Sequence, residues 1–375
     1  MKKKIAVIPG DGVGKEVIRQ AVKVCHTLND LDITELETVQ FQYDAHHYLE
    51  TGIAVPDEAV QEIKRKYDGA IVGPIGDPRV KENDYVKGML PRLHNELDLC
   101  VRYQPVKLLH LDLYPFLAGI QENIHFVLFS ENIEGFHTDA GNTLKKNRPD
   151  ELAFQQFVNS RITVGKVVDF ARDFARNHNL KLFHFADEGE LTRDIHNLWQ
   201  RSLRRIEREE KDLRIHATSV KNIVYGLLTN PSKFNVLLLP NLYIDAVSTI
   251  AAVIQGGVGL SALGDVNPGK FGLFRPLHGP VSRFAGKNAA NPFGAIMSVR
   301  MMLEFFGKPG TGQLIEDAVK YCLEHRLTTR DLEGNFGTDE VGDYVCQTLE
   351  KLYSQDNTGS DSAPIAEDAN NAQNQ

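Results

Sequence analysis

Four apolar residues, Ile5 to Ile8, end abruptly at Pro9-Gly10-Asp11-Gly12, and beyond this break apolar side chains recur at helical spacing through Val17, Ile18, Ala21, Val22 and Val24. The pattern is a short buried strand, a glycine-rich turn and an amphipathic helix. It recurs: the amphipathic stretch Asp57 to Lys66 leads to Ala70-Ile71-Val72, which Gly73-Pro74 closes. Strands this short need helices packed on them, so the alternation confines the chain to an α/β architecture. Phe126 to Phe129 and Val236 to Leu239 read as further buried strands. Between them, Glu151 to Asn177 has the pattern of one long helix, with Phe154, Phe157, Val158, Ile162, Val167, Val168, Phe170 and Phe174 as its apolar residues. The charged run Leu203 to Leu213 reads as the solvated face of a helix. From Ser354 onward the chain turns to Ser, Asn, Asp, Ala and Gln, which predicts a disordered acidic tail over 354–375.

A chain of 375 residues with 42% hydrophobic and 25% charged residues can bury a large core, and its length suggests two domains. Its net charge of -8 argues against broad binding to nucleic acid or to an anionic membrane, both of which need a basic field. The opening Met1-Lys2-Lys3-Lys4 precedes an apolar run too short for a secretory signal. No segment approaches the roughly 18–20 apolar residues of a membrane span. Cys25, Cys100, Cys322 and Cys346 are scattered without C-x-x-C spacing, as buried free thiols of a reducing compartment are, and the cytoplasm is the expected location.

Gly10, Gly12 and Gly14 miss the dinucleotide fingerprint G-x-G-x-x-G, because Lys15 follows them. More chemistry lies in Phe274 to Pro292, FRPLHGPVSRFAGKNAANP. Through His278-Gly279, Ala285-Gly286-Lys287 and Ala290-Asn291-Pro292 it resembles the cofactor loop of the isocitrate/isopropylmalate dehydrogenases, the metal-dependent β-decarboxylating dehydrogenases. Other stretches resemble the same family in the same order: IPGDGVGKEV near the N-terminus, ELDLCVRYQPVK (Glu96 to Lys107), SENIEGFH (Ser130 to His137), NPSKFNVLLLPNLYIDAVSTIAA (Asn230 to Ala252) and TTRDLEGNFGTDEVGDYV (Thr328 to Val345). The likeness spans residues 4–352 and implies an isopropylmalate dehydrogenase-like fold, two α/β domains with a shared central cleft. The larger, dinucleotide-side domain would be discontinuous, residues 1–103 plus 256–353; residues 104–255 would form the smaller, dimerising domain.

The resemblance also implies a chemistry. In the family three arginines hold the substrate carboxylates in fork geometry. Three aspartates, one from the partner subunit, bind Mg²⁺ or Mn²⁺, which chelates the 2-hydroxyl and carboxylate. A lysine from the partner subunit relays the hydroxyl proton, and a tyrosine protonates the enol carbon. In this chain His94, Gln104 and Ser130 stand at the arginine positions, with Asn132 near the last, while Arg92 and Arg102 lie close by as displaced substrate candidates. His137 stands at the tyrosine and Phe185 at the lysine. Of the metal ligands Asp245 alone is retained; Thr249 and Lys221 stand at the other two positions. An ammonium group opposes a divalent cation, so binding of Mg²⁺ or Mn²⁺ is disfavoured and Lys221 is expected to pair with Asp245 instead. His94 and His137 are new ionisable groups, and His137 with Lys221 are the catalytic candidates of an altered mechanism.

The cofactor side matches the family better, in His278, Gly279, Ala285, Gly286, Lys287 and Asn291, although Pro280 and Ser282 depart from it. Members that use NAD place Asp after the variable residues and members that use NADP place Lys-Tyr; this chain has Arg283-Phe284. A cation there attracts a 2′-phosphate, so NADP is favoured over NAD. The favoured reading is an inactive or regulatory member, a pseudoenzyme retaining NAD(P) binding. An active NAD(P)-dependent oxidoreductase with an altered 2-hydroxy acid substrate and mechanism comes second, and an ordinary isocitrate or isopropylmalate dehydrogenase third. A homodimer is expected, because the lysine and third aspartate positions would otherwise face no cleft; a hetero-oligomer with a catalytically complete paralogue is the alternative.

Overall fold

A computed structural model describes residues 2–81, 83–116, 123–138, 140–189 and 192–358. Strand β1 (Lys3–Ile8) is buried over its last four residues, and α1 (Gly14–Asp30) buries Val17, Ile18, Ala21, Val24, Cys25 and Leu28 on one face. Next come β2 (Leu36–Gln40), α2 (Ala45–Thr51), α3 (Asp57–Lys66) and β3 (Gly69–Val72), with β1 pairing parallel to both β2 and β3. Helix α4 (Asn83–Glu96) leads into β4 (Val101–Lys107), which pairs antiparallel with β5 (His125–Glu131).

The middle of the chain begins with an antiparallel hairpin, β6 (Gly141–Leu144) and β7 (Leu152–Gln155), whose residues are all exposed. There follow α5 (Arg161–Asn177), β8 (Leu182–Ala186), α6 (Arg193–Glu209), β9 (Arg214–Thr218), α7 (Val220–Thr229), β10 (Val236–Leu238) and α8 (Asn241–Ile254). The chain then returns through β11 (Ala262–Asn267) and β12 (Phe271–Pro276) and ends in α9 (Phe293–Phe305), α10 (Pro309–Glu324) and α11 (Thr338–Thr358).

Ten strands among the described residues form one sheet in the order β2-β1-β3-β12-β11-β4-β5-β10-β8-β9. The three central pairings, β12–β11, β11–β4 and β4–β5, are antiparallel, and the outer pairings on either side are parallel. Two parallel α/β halves therefore meet across three antiparallel pairings. In open α/β sheets such a change of order is where ligands bind.

Two expectations need correction. The helix placed over Glu151 to Asn177 starts only at Arg161, where the Ser160 hydroxyl caps it by accepting the Thr163 N–H. Phe154 lies in β7 and Phe157 in the connection to α5, so the aromatic spacing before Ser160 matched a helix by coincidence. At the other end α11 runs through Thr358, past the Ser354 start assigned to the tail; residues 359–375 lie outside the described residues. The charged run falls on the end of α6, with Arg204, Glu207, Arg208 and Glu209 exposed while Leu203 and Ile206 are buried. All four cysteines are free and buried. No helix among the described residues is long and apolar enough to cross a membrane.

Candidate active site

The central strands carry a buried charge cluster. Asp265 on β11 has no exposed surface and receives three cationic or imidazole neighbours from three elements. Arg102 on β4 donates through Nε to Asp265 Oδ1 at 2.8 Å, and Arg275 on β12 donates through Nε to Oδ2 at 3.2 Å. His94, near the end of α4, puts Nε2 3.0 Å from Oδ2, but without hydrogen-bond alignment, so this contact is electrostatic. Arg102 also places Nη1 3.5 Å from Asp245 Oδ1, an aspartate on α8 that is largely open to solvent.

The ionisation states follow from this packing. Burial alone would raise the Asp265 pKa, but the field of Arg102, then of His94 and Arg275, overrides it and holds the carboxyl well below its usual range. Burial pushes His94 below the ordinary histidine range, and the pull of Asp265 does not restore it. His137, in a single turn at Phe136–Thr138, is also shifted down, by burial first and then by Arg102 and His94. The cluster thus sets two guanidiniums against two carboxylates beside two imidazoles that are neutral at neutral pH.

Other expected substrate residues are engaged within the fold. Gln104 is tied to α8 at both ends, accepting from Ser248 Oγ at 2.5 Å and donating to the Ser248 carbonyl at 3.4 Å. Ser130 donates to the Glu131 carbonyl and Asn132 to the Leu99 carbonyl, and both are buried. Arg92 turns toward α3, pairing with Asp57 and the Val55 carbonyl, away from the cluster. Phe185 is buried in its own half of the molecule, its ring stacked on Trp199 with centroids 5.6 Å apart. Lys221 stands exposed on α7; within one chain the cation paired with Asp245 is Arg102. The Thr249 hydroxyl donates back to the Asp245 carbonyl at 2.9 Å. No three His, Cys, Asp or Glu side chains converge as a metal site among the described residues.

Asp265 and Arg275 went unnoticed in the sequence, although each is a charge in an otherwise apolar strand, ALGDVN and FGLFRP. A charge in such a strand must find a partner, and that was the available signal.

The cofactor loop is held by its ends. Val13 donates its N–H to the Pro280 carbonyl at 2.9 Å, an approach that needs glycine at residue 12: a Cβ there would sit 1.9 Å from that oxygen. Next to it Val281 adopts a left-handed conformation (φ 37°), rare for a β-branched residue. His278 binds the Gly279 carbonyl through Nδ1 at 3.0 Å, while its buried Nε2 has no partner. Arg283 lies over the Phe284 ring, and Arg283 to Lys287 are exposed. Asn291 donates to Asp331 at 3.0 Å and accepts the Phe293 N–H at the start of α9, so it joins the loop to the TTRDLEGN segment.

Comparison with known proteins agrees with this architecture. The isocitrate/isopropylmalate dehydrogenase family profile matches residues 4–345. The chain is 32% identical over 351 residues to a 3-isopropylmalate dehydrogenase of Thermobifida fusca, covering 92% of this chain and 97% of that one. It is 34% identical over 344 residues to a Streptomyces coelicolor 3-isopropylmalate dehydrogenase, covering 90% and 96%. Among solved structures it is similar to the isocitrate dehydrogenase of Methylococcus capsulatus, with TM-score 0.80, 25% identity and 93% and 99% of the chains covered. It is also similar to the apo form of a β-decarboxylating dehydrogenase of Thermococcus kodakarensis, with TM-score 0.78, 26% identity and 96% and 100% covered. Profile, relatives and fold agree over the same residues, and the chain belongs to the isocitrate/isopropylmalate dehydrogenase family.

Proposed function

We propose that this chain is an inactive or regulatory member of its family, a pseudoenzyme that keeps the fold and a dinucleotide loop but not the machinery for oxidising and decarboxylating a 2-hydroxy acid. One observation carries the reading: Asp265 and Asp245 balance Arg102 and Arg275, so the pocket has no surplus positive charge for a di- or tricarboxylate. A substrate carboxylate would have to displace a fully buried aspartate from two guanidiniums at once. Nor does the donor set of one chain fit a divalent cation. Among the described residues Asp245 is the only carboxylate at the place expected for metal, and Thr249 turns its hydroxyl into its own helix. No metal-assisted step is assigned to this protein.

The loop does fit a dinucleotide. The unpartnered His278 Nε2 and the exposed Arg283 and Lys287 offer polar and cationic groups to a phosphorylated nucleotide, and Arg283 favours the 2′-phosphate of NADP over a bare ribose diol. Calorimetry with NADP, NAD, Mg²⁺ and a panel of 2-hydroxy acids tests the proposal. NADP is expected to bind, roughly tenfold more tightly than NAD (about 1.4 kcal/mol), with no heat from Mg²⁺ and no NADPH formed. Normal turnover of isocitrate or 3-isopropylmalate with Mg²⁺ would end it.

The depressed pKa values of His94 and His137 support a second reading, an oxidoreductase with an altered substrate and mechanism, because two neutral imidazoles can accept protons at pH 7. NADP reduction that survives a chelator and disappears in His137→Ala would select it.

Assembly as a homodimer is part of the same proposal. Leu144, Leu152 and Phe154 on the hairpin, Tyr225 and Leu228 on α7 and Leu242 on α8 are exposed apolar side chains, surface that a second copy would cover. Light scattering is expected to give twice the chain mass, and Leu152→Asp with Phe154→Asp to give the monomer. A monomeric wild type that dimerises only on mixing with a complete paralogue would favour the hetero-oligomer.

A further inference from the structure

The seam between α5 and α6 is separate from the cleft and does not depend on the function proposed for it. The two helices run parallel, and along their later turns acids meet arginines. Arg205 Nη2 donates to Asp169 Oδ1 at 2.7 Å, Arg172 Nη1 lies 3.1 Å from both Asp169 and Glu209, and Arg176 pairs with Glu210. Toward the start of α5 the acids run out. One turn before Asp169 the seam position is Gly165, and one turn before that it is Arg161. Glycine is a poor helix former, yet a Cβ at Gly165 would meet no atom within 4 Å, so packing does not require it. Between Arg161 at the start of α5 and the exposed face of α6 lies a groove of about 620 Å³.

Five arginines line that groove: Arg161, Arg201, Arg204, Arg205 and Arg208. Arg205 is neutralised by Asp169, and Arg208 donates to the Arg204 carbonyl at 3.1 Å. Among the described residues no carboxylate pairs with Arg161, Arg201, Arg204 or Arg208, and Glu207 is the only acid in the lining. Four unpaired guanidiniums against one carboxylate leave the groove at a net +3, in a chain whose net charge is -8.

We propose that this groove binds a multiply phosphorylated small molecule through its phosphates. Guanidinium groups meet phosphate oxygens in pairs, and Arg201, Arg204 and Arg208 present three of them on successive turns of one helix face with Arg161 opposite. The volume falls within the range of roughly 300–1,000 Å³ usual for small-ligand sites. Among the described residues no aromatic side chain lines the groove, so a nucleobase has no stacking surface and the phosphate chain is the part recognised.

The test is calorimetry on the full chain with inorganic tripolyphosphate, ATP and a polyglutamate peptide. Tripolyphosphate is expected to bind once per chain, with affinity falling as salt rises. Arg161→Ala combined with Arg201→Ala is expected to weaken it at least tenfold. Lys320→Ala, an exposed cation on α10 outside the groove, is expected to leave tripolyphosphate binding unchanged. Equal affinity for ATP and tripolyphosphate supports recognition through phosphate alone. The proposal is overturned by no binding at millimolar tripolyphosphate, by undiminished binding in the double arginine variant, by an equal loss in Lys320→Ala, by a tenfold preference for ATP, or by tighter binding of polyglutamate, which would make the groove an acidic-peptide site.

Discussion

Replacing Asp265 with alanine is expected to destabilise the fold by about 3–5 kcal/mol, the loss typical when one partner of a buried ion pair is removed. The aspartate has no exposed surface, and its removal leaves Arg102 and Arg275 close together with no counter-charge between them. Asp245 lies 3.5 Å from Arg102 but is mostly in water, where screening limits what it can offset. Asp265→Asn keeps the shape and one acceptor and should fall between wild type and alanine. Urea titration gives the comparison, read from the midpoint with an unchanged slope. The pH dependence has a definite sign. The folded pKa of Asp265 is held well below its ordinary value, so its contribution is complete above the normal carboxylate range and is lost only as pH falls through that low folded value. A loss below about 1 kcal/mol in Asp265→Ala would mean that water already screens the cluster. The two guanidiniums would then be free to bind a substrate anion, and the case for an inactive pocket would fail.

Much of the fold was legible because short apolar strands and amphipathic helices have distinct periods; α3 begins and ends at Asp57 and Lys66 as the pattern indicates. The start of α5 was not, since aromatic residues at Phe154 and Phe157 continue its apolar spacing and only the Ser160 cap marks the break. In the site, sequence comparison identified positions but not directions. Along β8 alternate side chains face opposite sides, so His184 meets Phe234 while Phe185 turns to Trp199. The residue at the lysine position therefore became part of the core. Arg92 and Arg102 lie ten residues apart around one turn of chain, yet one points to Asp57 and the other to Asp265. The Asp265 cluster gathers residues from α4, β4, β11 and β12, and only the sheet order brings these together.

Substituting glutamine for Glu131 is expected to flatten a fall in stability between pH 5 and pH 8. Burial raises the Glu131 pKa from 4.5 to about 7, although the Asn241 N–H and the Asn159 amide donate to Oε1 at 3.0 and 3.3 Å. A folded pKa above the unfolded one means that the native state holds the extra proton through this window. The contribution is complete below about pH 4.5 and is lost as pH rises toward 7, a change of roughly 3 kcal/mol at 1.36 kcal/mol per unit. Glutamine cannot ionise; its oxygen can still accept from Asn241, and its amide takes the place of the unpartnered Oε2. The variant should match wild type near pH 4.5 and exceed it by up to roughly 3 kcal/mol at pH 8. His184, pushed down to about 4 by burial, contributes the opposite slope, with stability lost as pH falls from about 6.5 toward 4. Both proteins carry that slope, so it cancels in the difference. An equal difference between variant and wild type at pH 5 and pH 8 would show that the carboxyl is not held neutral. Because Glu131 receives the first N–H of α8, the helix that presents Asp245 and Thr249, its protonation also sets how firmly that helix is anchored beside the cluster.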